Sequence, residues 1–301
     1  MFGTENRRGV SKEDAAQRNY FDIVGRHFWH ICGVSFWFAL SNLLFFGASI
    51  YLFSSYFGGD NLVTIVTAFL RGKSFIVPIV PFLPLMLTGP FTAGFTYVIR
   101  NYAKQEHTFI VSDFFEHAKK NWKFGLLTSV LSYLVMYLLL QALVFYNGFF
   151  ISSGLPLGVL YTVFAVVSIL LIIMSFYVYP ILVTFKMKYR TVLKNAWTFA
   201  VLKLPQNFII FVLLFAINAG LFYLSFFVWM LPEIWFILMA FFLTGFTAFT
   251  ANYYIWHVLD KYIVRLVTPK KDDDRIFTDE EHLEDDDFDD YVEDNYDEND
   301  F

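Results

Sequence analysis

Six histidines, one cysteine and a Gly-Pro step are the residues of this chain that reach furthest toward chemistry. Among the histidines (27, 30, 107, 117, 257 and 282), only His27-x-x-His30 has ligand-like spacing. It opens a long apolar run, where histidine commonly sits at the headgroup level of a membrane. Cys32 is alone, which excludes an internal disulfide and a cysteine-based zinc site. Asp113 and His117 form an i, i+4 pair, enough for a surface contact on a helix and too thin for acid–base catalysis. No phosphate-binding loop, nucleophile elbow or dinucleotide fingerprint occurs, and no cofactor or metal is expected.

That leaves "PFLPLMLTGPFTAGF" (Pro81–Phe95), which places Pro81, Pro84, Gly89, Pro90 and Gly94 inside an apolar run. Gly89 can cap a helix with Pro90 at its first position, where the missing N–H costs little. Upstream, Pro78, Pro81 and Pro84 recur every third residue, which a regular α-helix accommodates badly. A span broken in this way can turn free amides toward an anion and build a midplane site. It can equally be a kinked span packed on its neighbours. Gly89, Thr92, Ala93 and Thr96 fall at i, i+3, i+4 and i+7, a small-residue face on which another helix can close.

The elements that must position these residues are membrane spans. The chain has 301 residues, 57% hydrophobic and 16% charged, against about 25% charged for soluble domains. A crossing needs about 20 apolar residues. Between Lys123 and Lys186 lie 62 residues without an Asp, Glu, Lys or Arg, too many for one crossing. The cluster Tyr146–Pro156 supplies turn residues midway, and Met230–Glu233 does the same in the next run. Glu233 belongs at an interface, because a central charge costs about 2.5–3.5 kcal/mol.

The expected fold is an all-α, polytopic integral membrane bundle of six transmembrane helices, at about 28–53, 74–99, 124–146, 157–183, 207–230 and 234–257. The transmembrane domain covers 28–269, after a polar segment 1–27 that does not resemble a signal peptide. The spans contain no clear buried ionisable residue, which argues against an ion-coupled pump. Their neutral polar groups, Asn42, Gln141, Asn218 and Asn252, can bond between helices or line a polar pocket.

Twenty of the 22 Lys and Arg residues fall in the N-terminal segment, the second and fourth loops and the C-terminal segment, and only Arg71 and Lys73 fall on the other side. Both termini are therefore expected in the cytoplasm. Ser112–Phe124 and Tyr189–Pro205 read as interfacial amphipathic helices in the basic loops. The first aligns Phe114, Phe115, Ala118 and Trp122, with Ser112 or Asp113 as its cap. The second aligns Val192, Leu193, Ala196, Trp197, Ala200 and Val201. Residues 272–301 carry 17 of the 27 acids and one base, a balance of −16, while 1–271 carry +11. Residues 270–301 are expected to be a disordered acidic cytoplasmic tail, and nucleic acid is not an expected partner.

Two stretches carry a family likeness. "TGPFTAGFTYVIRNYAKQEHTFIVSDFFEHAKKNWK" and "YPILVTFKMKYRTVLKNAWTFAVLKLP" resemble the YesL-like, DUF624 family of bacterial membrane proteins. The positions that carry the likeness are Gly89, Pro90, Ala93, Gly94, Arg100, Asp113, Phe114, Asn121, Lys194, Asn195, Ala196, Leu204 and Pro205. The resemblance implies a multi-pass protein of the bacterial plasma (inner) membrane with no established catalytic residue. It also implies an association with carbohydrate uptake or its sensing. The expected function is a non-enzymatic accessory in the lipid bilayer that works through a transport or sensor complex. The alternative is a small permease for a neutral solute, with Pro81–Phe95 lining the path.

Overall fold

The computed structural model of the protein describes residues 20–57, 77–153, 158–225 and 232–264, and every element among them is helical. The chain divides into two compact units, 1–260 and 261–301. Of the second, only Lys261–Val264 is described, within a π-helical turn that starts at Asp260. The expected tail and most of the polar N-terminal segment lie outside the described residues.

Long apolar runs become long helices because a membrane offers no water to backbone N–H and C=O groups, which must bond within the segment. Helix α1 is Tyr20–Phe57. Two 3-10 stretches, Val77–Phe82 and Pro84–Thr88, lead into α2, Gly89–Ala103. Helix α3 (Ile110–Lys120) and α4 (Trp122–Ser153) follow, then α5 (Gly158–Thr184), α6 (Tyr189–Leu202) and α7 (Leu204–Tyr223). Helix α8 (Pro232–Leu238), a π-helical turn (Met239–Leu243) and α9 (Thr244–Leu259) make the last described crossing. Among the described residues, six segments are long and apolar enough to cross a membrane: 20–56, 79–103, 122–142, 162–184, 204–223 and 236–263. The all-α, six-span class holds.

Several boundaries differ from expectation. Helix α1 starts at Tyr20, where the Tyr20 hydroxyl and Thr250 Oγ1 of α9 hydrogen-bond at 2.7 Å and Ile23 is buried. Helix α4 continues through the polar cluster to Ser153 instead of turning at Tyr146. Asn, Gly and Ser each disfavour a helix by at most about 1 kcal/mol, less than an unsatisfied backbone group costs in lipid. Residues 154–157, between these spans, lie outside the described residues. Neither Ser112 nor Asp113 caps α3. Phe109 is the N-cap, and Asp113 Oδ2 reaches back to accept its N–H at 2.9 Å.

The second crossing is the hub of the bundle. Half of its most apolar window is buried, against 11% in α7. Helix α2 packs on α1, α3, α4, α5 and α9. Phe95, Val98, Ile99 and Tyr102 of α2 form the core with Ile31 and Val34 of α1, Phe114 of α3 and Phe249 of α9.

The prolines that interrupt this crossing recur with the three-residue period of a 3-10 helix, and the chain adopts that geometry there. The tight turns leave carbonyls that neighbouring helices satisfy. Ser49 of α1 donates to Pro81 O at 2.6 Å, and Ser129 of α4 donates to Met86 O. Ser49→Ala should therefore cost about 1–2 kcal/mol in thermal unfolding of the detergent-solubilised protein, because the Pro81 carbonyl loses this buried donor.

Candidate functional site

The broken crossing and the first turns of α2 form one densely packed region. Thr88, not Gly89, is the residue before the helix; Gly89 already has helical dihedrals, and Pro90 sits in the first turn. A Cβ on Gly89 would fall within van der Waals reach of the Gly125 carbonyl and the Ser129 hydroxyl of α4. One on Gly94 would fall on the Phe114 carbonyl of α3. The two glycines thus let α4 and α3 close on α2. Ala93 between them is fully buried. The amides of the 3-10 stretches also have protein acceptors: Leu83 N–H donates to Val80 O at 3.1 Å and Met86 N–H to Leu83 O at 3.2 Å.

At the other end of α2 stands the group the sequence analysis did not anticipate as buried. Arg100 lies within the second candidate span and is 7% exposed. No carboxylate touches it among the described residues. Its Nε and Nη2 donate to Asn101 Oδ1, the former at 2.9 Å. Its Nη1 donates to Val183 O at 2.9 Å and to Thr184 Oγ1 at 3.1 Å. Val183 and Thr184 end α5, where unbonded carbonyls carry the negative end of the helix dipole. Those dipoles and the Tyr97 ring, 4.6 Å below the guanidinium, replace a counter-ion. The expectation of spans free of buried charge is corrected for this position. The sequence signals that could have revealed it are the adjacent Asn101 and Thr184, next to the end of a charge-free run.

The His117 ring stacks on Tyr97 with centroids 3.3 Å apart, so α3 contributes to the same group. The Asp113–His117 pair does not form as read from spacing: Asp113 bonds backward to Phe109, and His117 turns to α2. Burial holds the His117 imidazole below the usual histidine range, and Lys120 adds like-charge repulsion; Glu116 and Asp113 act in the opposite sense and Arg100 in the same sense as Lys120. The folded protein favours the neutral ring. Its contribution is therefore complete above the unfolded value of about 6.5 and is lost as pH falls below it. Melting temperature should drop between pH 7 and 5.5, and the drop should be smaller in His117→Phe.

His27 is half-buried and His30 exposed in the first third of α1. Both rings lie against Tyr102, at 4.9 and 5.8 Å between centroids, and 5.9 Å from each other. They belong to the packing of α1 on α2. No group of three or more His, Cys, Asp or Glu side chains that could hold a metal occurs among the described residues.

Among the neutral span residues, Asn218 joins α7 to α9 through Thr247 Oγ1 at 3.1 Å. Asn42 and Asn252 instead bond within their own helices, to Phe38 O and Ala248 O, each at 2.8 Å.

The family positions divide into two groups. Gly89, Pro90, Ala93, Gly94, Arg100, Asp113, Phe114 and Asn121 gather along α2 and α3; Phe114 is fully buried, and Asn121 ends α3 by donating through Nδ2 to His117 O at 3.1 Å. Lys194, Asn195 and Ala196 lie on α6, where Ala196 is buried, Lys194 is exposed, and Asn195 Nδ2 points to Met187 Sδ at 3.5 Å. Leu204 and Pro205 open α7.

The amphipathic stripes are also narrower than expected. Phe114 and Ala118 face the protein while Phe115 and Trp122 are exposed, and α6 buries Val192, Ala196, Phe199 and Ala200 while Trp197 and Val201 are exposed. Each helix buries one aromatic, Phe114 or Phe199, beside alanines, and leaves others outward.

Away from the break, a cleft of about 390 Å³ lies between α4 and α5 and reaches the start of α6. No residue of Pro81–Phe95 lines it.

Residues 38–142 match the family described as "Protein of unknown function, DUF624", which is the YesL-like family. The match runs from α1 through α4 and includes the first group of positions. The second group, on α6 and α7, lies beyond it. No curated protein and no solved structure matches the chain.

Proposed function

We propose, from the match of residues 38–142 to the DUF624 family, that the protein is a non-enzymatic membrane component that acts by binding a partner. The observation that carries this reading is the closure of the broken crossing. The Leu83 and Met86 amides and the Pro81 and Met86 carbonyls are bonded within the protein and its glycines are pressed against α3 and α4, which favours a packing device over a path. The binding surface is supplied by the exposed aromatics of the α3–α4 junction and of α6, Phe115, Trp122 and Trp197. They flank exposed lysines and an arginine, including Lys119, Lys120, Arg190 and Lys194.

The partner is a transport or sensor complex for carbohydrate, as the family resemblance implies. The asymmetry of Lys and Arg supports a bacterial plasma-membrane protein with both termini in the cytoplasm.

The test is crosslinking in intact membranes followed by purification of the full chain. A stoichiometric membrane partner, lost on combined Trp122→Ala and Trp197→Ala substitution, is expected. Absence of such a partner, together with uptake of a neutral sugar by proteoliposomes of the chain alone, would instead establish the permease reading.

A further inference from the structure

The cleft between α4 and α5 has the shape and polarity of a site for one lipid chain, and we propose that it binds an anionic phospholipid with its headgroup at the start of α6. The walls of the cleft lie outside the partner surface proposed above, which shares with it only Arg190 and Lys194 at the headgroup end.

The lining runs from Thr128 to Leu139 on α4 and from Ser168 to Val178 on α5. At 1.5 Å per residue that is about 15 Å of depth, half of a hydrocarbon core of about 30 Å. The cleft is thus one leaflet deep. Its volume of about 390 Å³ is large; an engineered cavity of about 150 Å³ already takes up benzene.

Polarity is graded along it. Thr128, Ser132, Ser175 and Tyr189 supply hydroxyls at the α6 end, and Met136 and Leu139 lie at the far end. Ser168 is the far-end exception; its hydroxyl donates to Phe164 O at 2.7 Å as Thr128 and Ser175 donate to Phe124 O and Ile172 O, so the gradient lies in the clustering of hydroxyl oxygens, as acceptors, toward the α6 end. No charged side chain lines the cleft. Such a gradient fits an ester and glycerol region above an acyl chain, and does not fit a sugar, which would need polar partners throughout.

The charges at the α6 end point to the headgroup. Lys186, Lys188, Arg190 and Lys194 are all exposed around Tyr189 and Leu193, and both of these line the cleft. Lys188 and Arg190 flank the first residue of α6, there is no acidic residue in its first turn, and no side chain caps it. Cations at the positive end of a helix dipole repel it, an arrangement that a bound anion reverses into attraction. The segment Lys186–Pro205 contains no Asp or Glu, so its own sequence supplies no anion.

The test uses the full chain in phosphatidylcholine proteoliposomes doped with phosphatidylglycerol bearing a photoreactive group in its acyl chain. Labelling of wild-type protein, mapped by peptide mass spectrometry, should concentrate on 128–139 and 168–178 and be sparse on the lipid-facing side of α7. A photoreactive phosphatidylcholine should label the cleft about tenfold less, as expected for several basic side chains each worth about 1 kcal/mol at an anionic surface. Replacing Lys186, Lys188, Arg190 and Lys194 together by Gln should remove that preference. Leu139→Trp, which fills the far end, should reduce labelling by both lipids. Uniform labelling over all lipid-facing helices, or equal labelling by the two wild-type probes, would overturn the proposal.

Discussion

Gly94→Ala, the smallest possible enlargement, is expected to destabilise the protein by at least about 3 kcal/mol. The added methyl would meet the Phe114 carbonyl of α3, with Ala118 N and Cβ both 3.1 Å away. The obstacle is backbone, so no rotamer change relieves it, and overpacking of a tight core already costs about 1–3 kcal/mol where side chains can yield. Gly89→Ala should behave alike, because its methyl would meet the Gly125 carbonyl of α4. The contrast is Gly220→Ala on α7, whose added Cβ would have nothing within 4 Å. There the change should be neutral or stabilising by up to about 1 kcal/mol, since alanine is the better helix former. Thermal unfolding of the three variants in one detergent checks the contrast. Equal behaviour of Gly94→Ala and Gly220→Ala would show that α2 and α3 are not in close contact.

Arg100→Leu is expected to cost about 3 kcal/mol, and Arg100→Lys most of that. Removing the guanidinium leaves Asn101 Oδ1 and Val183 O without the donors they now have, and each buried acceptor left unmade costs about 1–3 kcal/mol. Lysine restores the charge but not the fork. One ammonium cannot reach Asn101 on α2 and Val183 on α5 as the Nε, Nη1 and Nη2 donors do together. A buried cation is itself expensive, so the cost should shrink when its main acceptor goes with it. Arg100→Leu with Asn101→Leu should recover part of the stability lost by Arg100→Leu alone. If the single Arg100→Leu variant were more stable than wild type, desolvation of the guanidinium would outweigh its bonds, and its place as a clasp between α2 and α5 would be wrong.

The features that were legible before the structure are those set by local chemistry. Apolar length marked the six crossings, and the Gly89-Pro90 step marked the start of α2 within one residue. The three-residue proline spacing excluded a regular α-helix, and 3-10 geometry is what it produced. The features that were not legible depend on partners distant in sequence. Arg100 reads as one more loop cation until Val183 and Thr184, more than eighty residues later, are brought beside it. The cap of α3 was misplaced because Phe109 offers no capping side chain, and the bond comes from Asp113 reaching backward. The stripes of α3 and α6 gave the right faces only in part: spacing alone does not separate a residue buried on protein, such as Phe114, from one exposed, such as Phe115. The cleft between α4 and α5 has no local signature, since its two walls are apolar runs like any other span.

The central claim is that the proline-broken crossing is closed by protein and carries no aqueous path. Cysteine accessibility measures this directly. In a Cys32→Ala background, single cysteines at Pro81, Leu85, Thr92 and Thr96 would be exposed to a membrane-impermeant maleimide in sealed vesicles of both orientations, with a cysteine at the exposed Lys119 of α3, outside the crossings, as the accessible reference. The closed crossing predicts that Thr92→Cys and Thr96→Cys stay unlabelled from either side until the protein is denatured. Rapid labelling of these two positions from the aqueous phase, protected by a neutral sugar, would contradict it and make the break a permeation path.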